Sequence, residues 1–259
     1  MNDPLLSVIV PTFNSDPKKT FKGLMSIFNQ SYKNFECIIV DDSDKASTIK
    51  FLEKFCNSKG NFHYVKGTGG GIAKALNQGI FLAKGQFIAR ADDTDISDVD
   101  RFLIQVKLLK QEENIDVVGS NINIKYQDET ITRIYPETHS KIIKRFFVSC
   151  PLAHPAVMVR KKIFDDGNNY DESFKYCEDL ELWLRLFRNK YNFFNIQKSL
   201  VTYEGNLKSR PLKHYIFNTY ARFKHLSNPI IFVSAIISLV HFLLPPKLRL
   251  KIIKKFQSI

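Results

Sequence analysis

Two rhythms of apolar and polar positions alternate along the first ninety residues. LLSVIVPTF (5–13) is an almost unbroken apolar run that ends at Asn14. A run without polar alternation predicts a strand covered on both faces, as in a parallel sheet. Residues 20–31 change to helical spacing, with Phe21, Leu24, Ile27 and Phe28 along one side. FECIIVDD (35–42) predicts a second buried strand ending in two acids, 46–56 a helix, and FHYVKG (62–67) a third strand. IAKALNQGIFLAKG (72–85) predicts a helix with Gly85 at its C-cap. QFIARA (86–91) is a fourth strand that runs directly into Asp92. Four strand–helix alternations predict an α/β fold, a doubly wound and mostly parallel sheet with right-handed crossovers. Sheets of this kind bind ligands beyond the carboxyl ends of their strands.

The alternation loosens after residue 98. A helix is expected over 99–113, a strand pair over 115–126 and 129–136, and a short strand at 156–160. CEDLELWLRLFRN (177–189) predicts a helix with Leu180, Trp183, Leu184 and Phe187 on one face, and 193–203 a final strand.

Charge changes the picture near residue 204. The 259 residues carry a net charge of +12, yet Glu204 is the last acid, and ten Lys or Arg follow it. Residues 1–204 hold 28 basic and 26 acidic groups and are nearly neutral. The basicity therefore belongs to a tail, whereas a nucleic-acid enzyme spreads it around the cleft, so no nucleic-acid partner is expected. Cys37, Cys56, Cys150 and Cys177 lack the spacing of a zinc site or a disulfide framework and read as reduced thiols. MNDPLLSVIVPTFN has neither a basic leader region nor a cleavage site, so no signal peptide is expected.

The candidate chemistry sits where strands end. ARADDTDIS (89–97) crowds Asp92, Asp93 and Asp95 together. Asp95 or Ser97 would serve as a helix cap, which leaves the other acids unexplained. A divalent cation shared with phosphate oxygens accounts for more of them. DDSD (41–44) is either an ordinary turn or, through Asp42, an acceptor for a base or ribose. GTGGG (67–71), ending at Gly71, is either a phosphate-cradling loop or a plain flexible one. It lacks the Walker lysine and a full dinucleotide fingerprint. Glu178 and Asp179 open a helix, where dipole complementarity alone favours acids and where a general base would also fit. The histidines show no metal spacing, and His154 suits either a core or an active site.

SVIVPTFN, FECIIVDDSD, GIAKALNQGIFLAKGQFIARADDTDIS, HPAVMVRKKIF and YCEDLELWLRL occur in that order. As an ordered set over residues 5–204 they resemble glycosyltransferase family 2, the inverting family with the GT-A fold. The resemblance implies that Pro11, Phe13 and Asp42 hold the nucleotide base, that Asn77 lines the donor site, and that Asn14 and Gly71 border it. It also implies a DxD motif that binds Mn²⁺ or Mg²⁺ with the donor diphosphate, drawn from Asp92, Asp93 and Asp95. Asp92 and Asp93 count as donor-binding too. Asp179 is the implied base, with Glu178 second. One departure is visible. Relatives read ARMDADDIS, and an ungapped match puts Thr94 where a metal-binding aspartate is usual, while Asp93-Thr94-Asp95 keeps a DxD string shifted by one.

The implied activity is metal-dependent transfer of a hexosyl or N-acetylhexosaminyl group. The donor is a nucleotide sugar, with UDP-sugar the expected class, and the acceptor a glycan or lipid-linked hydroxyl in bacterial surface polysaccharide or lipopolysaccharide synthesis. The alternative is a non-catalytic nucleotide-sugar or membrane-surface binding module with a degenerate metal site. A nucleotidyltransferase would need a Gly-rich basic loop after the first strand, and PTFNSDP is not one. Residues 1–204 form the expected GT-A domain, and 205–259 a helical, basic, membrane-associating tail. In that tail PIIFVSAIISLVHFLL (229–244) is short for a crossing and flanked by bases on both sides. Residues 247–256 place Leu248, Ile252, Ile253 and Phe256 opposite lysines, the pattern of a helix lying in a membrane interface. Peripheral attachment to an anionic surface, the cytoplasmic face of a bacterial inner membrane, is the expected location, and a homo-oligomer is compatible with it.

Overall fold

The structure is a computed structural model and describes residues 4–126, 129–147, 149–203 and 210–225. Its first half follows the apolar rhythm closely: β1 (Leu6–Thr12), α1 (Pro17–Phe28), β2 (Phe35–Asp41), α2 (Ala46–Asn57), β3 (Phe62–Lys66), α3 (Ile72–Leu82) and β4 (Phe87–Arg90). The second half contains β5 (Ile96–Ser97), α4 (Arg101–Gln111), β6 (Val117–Tyr126), β7 (Glu129–Arg133), α5 (His139–Phe146), β8 (Met158–Arg160), α6 (Lys162–Asp165), α7 (Glu178–Arg188), β9 (Phe193–Tyr203) and α8 (Leu212–His225).

Why β1 and β2 read as unbroken apolar runs is explained by their packing. Leu6, Val8 and Val10 of β1, with Cys37 and Ile39 of β2, pack against Leu24 and Ile27 of α1, Leu52 and Phe55 of α2, and Phe102 and Val106 of α4. Ile9, Ile38 and Val40 point the other way, into a second core with Leu76 and Ile80 of α3, Phe146 of α5, and Leu180, Trp183 and Leu184 of α7. Successive strand residues alternate faces, so covering both faces requires apolar residues at every position. The result is three layers with a sheet between two sets of helices.

In the sheet the order is β3-β2-β1-β4-β8-β6-β9-β5, with β7 paired to β6 off this path. β1 through β4 pair in parallel, as do β6 and β9, whereas β8 runs antiparallel to both β4 and β6. Parallel pairing dominates, as the sequence predicts, and the strand order reverses beside β1, where β4 joins. The carboxyl ends of β1, β2 and β4 thus share one edge.

Several local expectations are corrected. α1 begins at Pro17 rather than near residue 20, because Asp16 accepts hydrogen bonds from the Lys18 and Lys19 amides at 3.0 and 3.1 Å. Gly85 does not cap α3, which ends at Leu82 with Ala83 as its extended C-cap. Gly85 is small for another reason: a Cβ there would lie 2.5 Å from the Ser7 amide nitrogen. Neither Asp95 nor Ser97 caps α4, whose N-cap is Asp100, and Ser97 belongs instead to β5 against β9. The expected boundary at residue 204/205 falls outside the described residues, as do 229–244 and 247–256. Among the described residues no helix is long and apolar enough to cross a membrane.

α1 and the acidic stretch after β4 approach each other closely at the backbone. A Cβ on Gly23 would meet the Asp93 carbonyl oxygen at 2.2 Å and that of Asp95 at 3.1 Å. Neither partner is a flexible side-chain tip, so Gly23→Ala must move backbone. Overpacking of this kind costs about 1–3 kcal/mol. A lower thermal midpoint, together with weaker nucleotide-sugar binding by calorimetry, is expected. An alanine variant with unchanged midpoint and binding would show that the helix and loop tolerate separation.

Candidate active site

The site is built from strand-end loops that are bonded to one another. After β1 the chain turns through Phe13, 65% exposed, and Asn14, whose φ is 53°. Asn14 tolerates this left-handed backbone better than most residues. Its side-chain oxygen accepts from the Asp44 and Lys45 amides at 3.2 and 3.0 Å, and its own amide donates to Ser43 at 2.7 Å. Asn14 therefore joins the first loop to the second. Pro11 sits within β1 opposite Val40.

Of the two acids closing β2, Asp41 is fully buried, accepting from the Ser43 amide at 2.9 Å and the Tyr64 hydroxyl at 3.0 Å. Asp42 is half-buried, and its Oδ1 accepts from the Gly69 amide at 2.9 Å. That contact explains the glycines: a Cβ on Gly67 would lie 2.0 Å from Asp42 Oδ1, and Gly69, Gly70 and Gly71 all have positive φ. GTGGG is a shaped loop closing onto Asp42, and Gly71 is the N-cap of α3.

The acids after β4 separate into different roles. Asp92 is half-buried and pairs with Arg90 at 2.6 Å. Asp93 turns inward, where Thr12 donates a 2.5 Å hydrogen bond to its Oδ2. Burial pushes its proton affinity up, while hydrogen bonds from Ser15 and Thr12 oppose that. Asp95 is 4% exposed. Beneath them Arg101 is buried and donates to the Arg90 carbonyl at 2.7 Å, the Val157 carbonyl at 3.3 Å and Ser97 at 3.2 Å. Burial, reinforced by the Arg90 charge, lowers its pKa to about 9.

α7 delivers the other acids. Its N-cap, Cys177, has φ 59° and ψ 28°, a left-handed conformation uncommon outside glycine and asparagine. Glu178 follows, 8% exposed. Burial raises its pKa to about 7, with the Asp179 charge adding to the effect and Arg90 opposing it. Asp179 is half-buried, and its Oδ1 accepts from the Leu180 amide at 2.8 Å. His154, in a 3-10 turn before β8, places Nδ1 3.8 Å from Glu178 and Nε2 2.8 Å from the Tyr170 hydroxyl. Burial and then the nearby Arg90 charge depress its pKa, so the ring is neutral. Asn77 holds Tyr170 by both backbone groups, at 2.9 Å each, and also donates to Glu172 at 3.0 Å. Its link to the acids runs through Tyr170.

Two groups of acids thus converge, one from β4 and one from α7, with Arg90 coupled electrostatically to both. Arg90, Arg101, Thr12 and Tyr170 were missed by sequence reasoning, and only the strand-end position of Arg90 offered a signal. Among the described residues no three His, Cys, Asp or Glu side chains are placed to hold a metal unaided. The donor set nevertheless fits a cation of the Mg²⁺ or Mn²⁺ type, which binds through one or two carboxylates plus substrate phosphates. Asp92, with its second oxygen outside the Arg90 pair, is the residue suited to that role.

Known proteins share this architecture. The profile of Glycosyl transferase family 2 matches residues 7–168. An uncharacterized glycosyltransferase of Methanocaldococcus jannaschii, MJ1057, is 28% identical over 237 residues, covering 88% of this chain and 81% of its own. A bifunctional glycosyltransferase of Dictyostelium discoideum, pgtA, is 29% identical over 250 residues, but there this chain spans only 32% of the relative. Staphylococcus aureus TarS 1–349 in complex with UDP-GlcNAc superposes with a TM-score of 0.70 at 20% identity, over 92% of this chain and 71% of that one. The mannosyltransferase PcManGT from Pyrobaculum calidifontis, in complex with GDP-Man and Mn²⁺, superposes with a TM-score of 0.68 at 14% identity, over 98% and 74%. The family match spans more than half of the 259 residues and takes in β1 through β8 with the loops that follow β1, β2 and β4, and on that ground the chain belongs to glycosyltransferase family 2, with the GT-A fold.

Proposed function

We propose that this glycosyltransferase transfers a hexosyl or N-acetylhexosaminyl group, with inversion, from a UDP-sugar to a hydroxyl of a glycan or lipid-linked acceptor in bacterial surface polysaccharide synthesis. The carrying observation is the convergence of the β4 acids and the first turn of α7 at one sheet edge. The TarS complex with UDP-GlcNAc supports the donor class. Pro11, Phe13 and Asp42 border the base subsite, with the 67–71 loop beside it.

Asp179 is the base because it is the most exposed of the three acids in the first turn of α7. It takes the proton from the acceptor hydroxyl as that oxygen bonds to the anomeric carbon. The bond from that carbon to the diphosphate oxygen breaks on the opposite face, and its electron pair leaves with the nucleoside diphosphate. A Mn²⁺ or Mg²⁺ ion would be held by Asp92 and would supply positive charge toward that leaving group. A second reading, a binding module with a degenerate metal site, draws on Thr94 and the inward-turned Asp93. Slow hydrolysis of UDP-GlcNAc without acceptor separates the two, because only the enzyme performs it. Residues 205–259 attach the enzyme peripherally to the cytoplasmic face of the bacterial inner membrane, a location supported by ten bases and no acid in that stretch.

Asp179→Asn is expected to keep donor affinity while kcat falls about 10²- to 10⁴-fold. Near-normal turnover would remove Asp179 from the mechanism.

Glu178 carries a pH prediction. Its folded pKa, about 7, lies above the ordinary carboxylate value, so the stability it contributes is complete below pH 4 and is lost as pH rises through 7. The full swing is roughly 3 kcal/mol. Glu178→Gln should flatten the thermal midpoint between pH 5 and pH 8, and an unaltered pH profile would contradict the raised value.

Asp92→Asn should cut turnover by at least tenfold, and EDTA should abolish it. UDP-GlcNAc with Mn²⁺ at a hundredfold over Kd should stabilise the wild type by about 2.7 kcal/mol. Full activity in EDTA excludes the metal.

A further inference from the structure

α8 buries one side and exposes the other. Ala221, Arg222 and His225 face the domain. His225 reaches Glu181 of α7 at 2.8 Å, and Cys177, the residue that opens α7, lies 3.2 Å from His214. On the opposite side Leu212, Ile216, Tyr220 and Phe223 are 46, 54, 52 and 45% exposed. At about 100° per residue Leu212, Phe223 and Ile216 fall within an arc of roughly 40° turned away from the buried side, and Tyr220, its ring stacked 5.3 Å from that of the buried Phe174, closes the stripe against the domain. Lys213 and Lys224 lie along one border of that stripe, and Lys224 also pairs with Asp171 at 2.6 Å.

We infer that this outward face of α8 rests on an anionic lipid surface and sets the site close above it, so that the acceptor is a lipid-linked sugar whose reactive hydroxyl lies within the first sugars above the headgroups. The inference rests on the peripheral attachment proposed above and adds the surface and its consequence for the acceptor. Charge selects the occupant. Residues 205–259 contain ten bases and no acid. Seating a second copy of α8 on this face would bring the Lys213 side chains of the two copies toward one another with no acid in α8 to neutralise them. Anionic headgroups supply the counter-charge, and the apolar stripe enters the boundary between headgroups and acyl chains. The side of α8 opposite the lipid touches the start of α7, and a helix with its side chains is about 10–12 Å across. Glu178 and Asp179 would then stand about one helix diameter above the membrane plane.

The test uses the full-length chain with vesicles of phosphatidylglycerol and phosphatidylcholine, and pure phosphatidylcholine vesicles as control. Wild type should co-sediment with the anionic vesicles at low salt. L212E/I216E, and the milder L212S/I216S, should reduce partitioning at least tenfold while retaining the thermal midpoint and UDP-GlcNAc binding. Trp183, the single tryptophan, lies on α7 and should transfer energy to a dansyl-labelled lipid in the bound state. Wild-type-like partitioning by both variants overturns the α8 surface while leaving attachment through other residues standing. Failure of the wild type to bind removes the attachment reading itself. Loss of thermal stability in L212S/I216S assigns the face to the chain's own tail, and a change in oligomeric state assigns it to a second copy; either result overturns the inference. Binding without energy transfer from Trp183 overturns the placement of the site near the lipid.

Discussion

Five carboxylates brought to one sheet edge must be kept from repelling one another, and the architecture of the site answers to that constraint. Asp92, Asp93, Asp95, Glu178 and Asp179 come from two distant parts of the chain. In a medium less polar than water, each added negative charge raises the cost of ionising the others. Three means of relief are visible. Arg90 is buried and pairs with Asp92 while its charge reaches Glu178. Asp93 receives hydrogen bonds from Thr12 and Ser15. Glu178 and Asp179 occupy the first turn of α7, where the helix dipole favours negative charge. Burial still prevails at Glu178, which holds its proton near neutral pH.

The strand-end loops are ordered by contacts that lie far apart in sequence. Asn14 meets 44–45, Asp42 meets Gly69, Thr12 meets Asp93, and Asn77 meets Tyr170. Each contact fixes a loop against another element, so less conformational entropy remains to be lost when a ligand binds. Residues that sequence reading assigns to ligand contact therefore also hold the loops together. Asn14 and Asn77 spend their amides on protein partners, whereas Asp42 uses one oxygen on Gly69 and keeps a second.

How much of this was legible follows from the range of each signal. The parity of Val8, Ile9 and Val10 is local, and it revealed a sheet covered on both faces before any contact was known. The acids at the ends of β2 and β4 were equally visible, since their clustering lies within a few residues. α5 and β5 were not legible. β5 is only Ile96–Ser97 and exists through its pairing with β9, about a hundred residues away. Arg90 and Arg101 read as an ordinary strand residue and an ordinary helix residue, and their burial beneath the acids is a property of the assembled sheet. Thr94 left open which of the three acids would meet a metal, and the inward turn of Asp93 bears on the same question.

α7 is the element through which these features communicate. Its apolar side is locked into the core by Leu180, Trp183 and Leu184, and Glu181 is held by Arg185 at 2.9 Å and His225 at 2.8 Å. The helix cannot rotate without breaking that buried network, so the direction of its first turn is decided at Cys177. A non-glycine residue in the left-handed region costs on the order of 1–3 kcal/mol and persists only where its surroundings enforce it. Here the enforcement comes from His214 of α8 against the Cys177 sulfur on one side and from the buried Glu178 and His154 on the other. The conformation that aims Glu178 and Asp179 toward the β4 acids is thus maintained in part by a helix outside the matched family region. α8 thus packs against the turn that opens α7, while the core contacts of Leu180, Trp183 and Leu184 hold the rest of the helix in place.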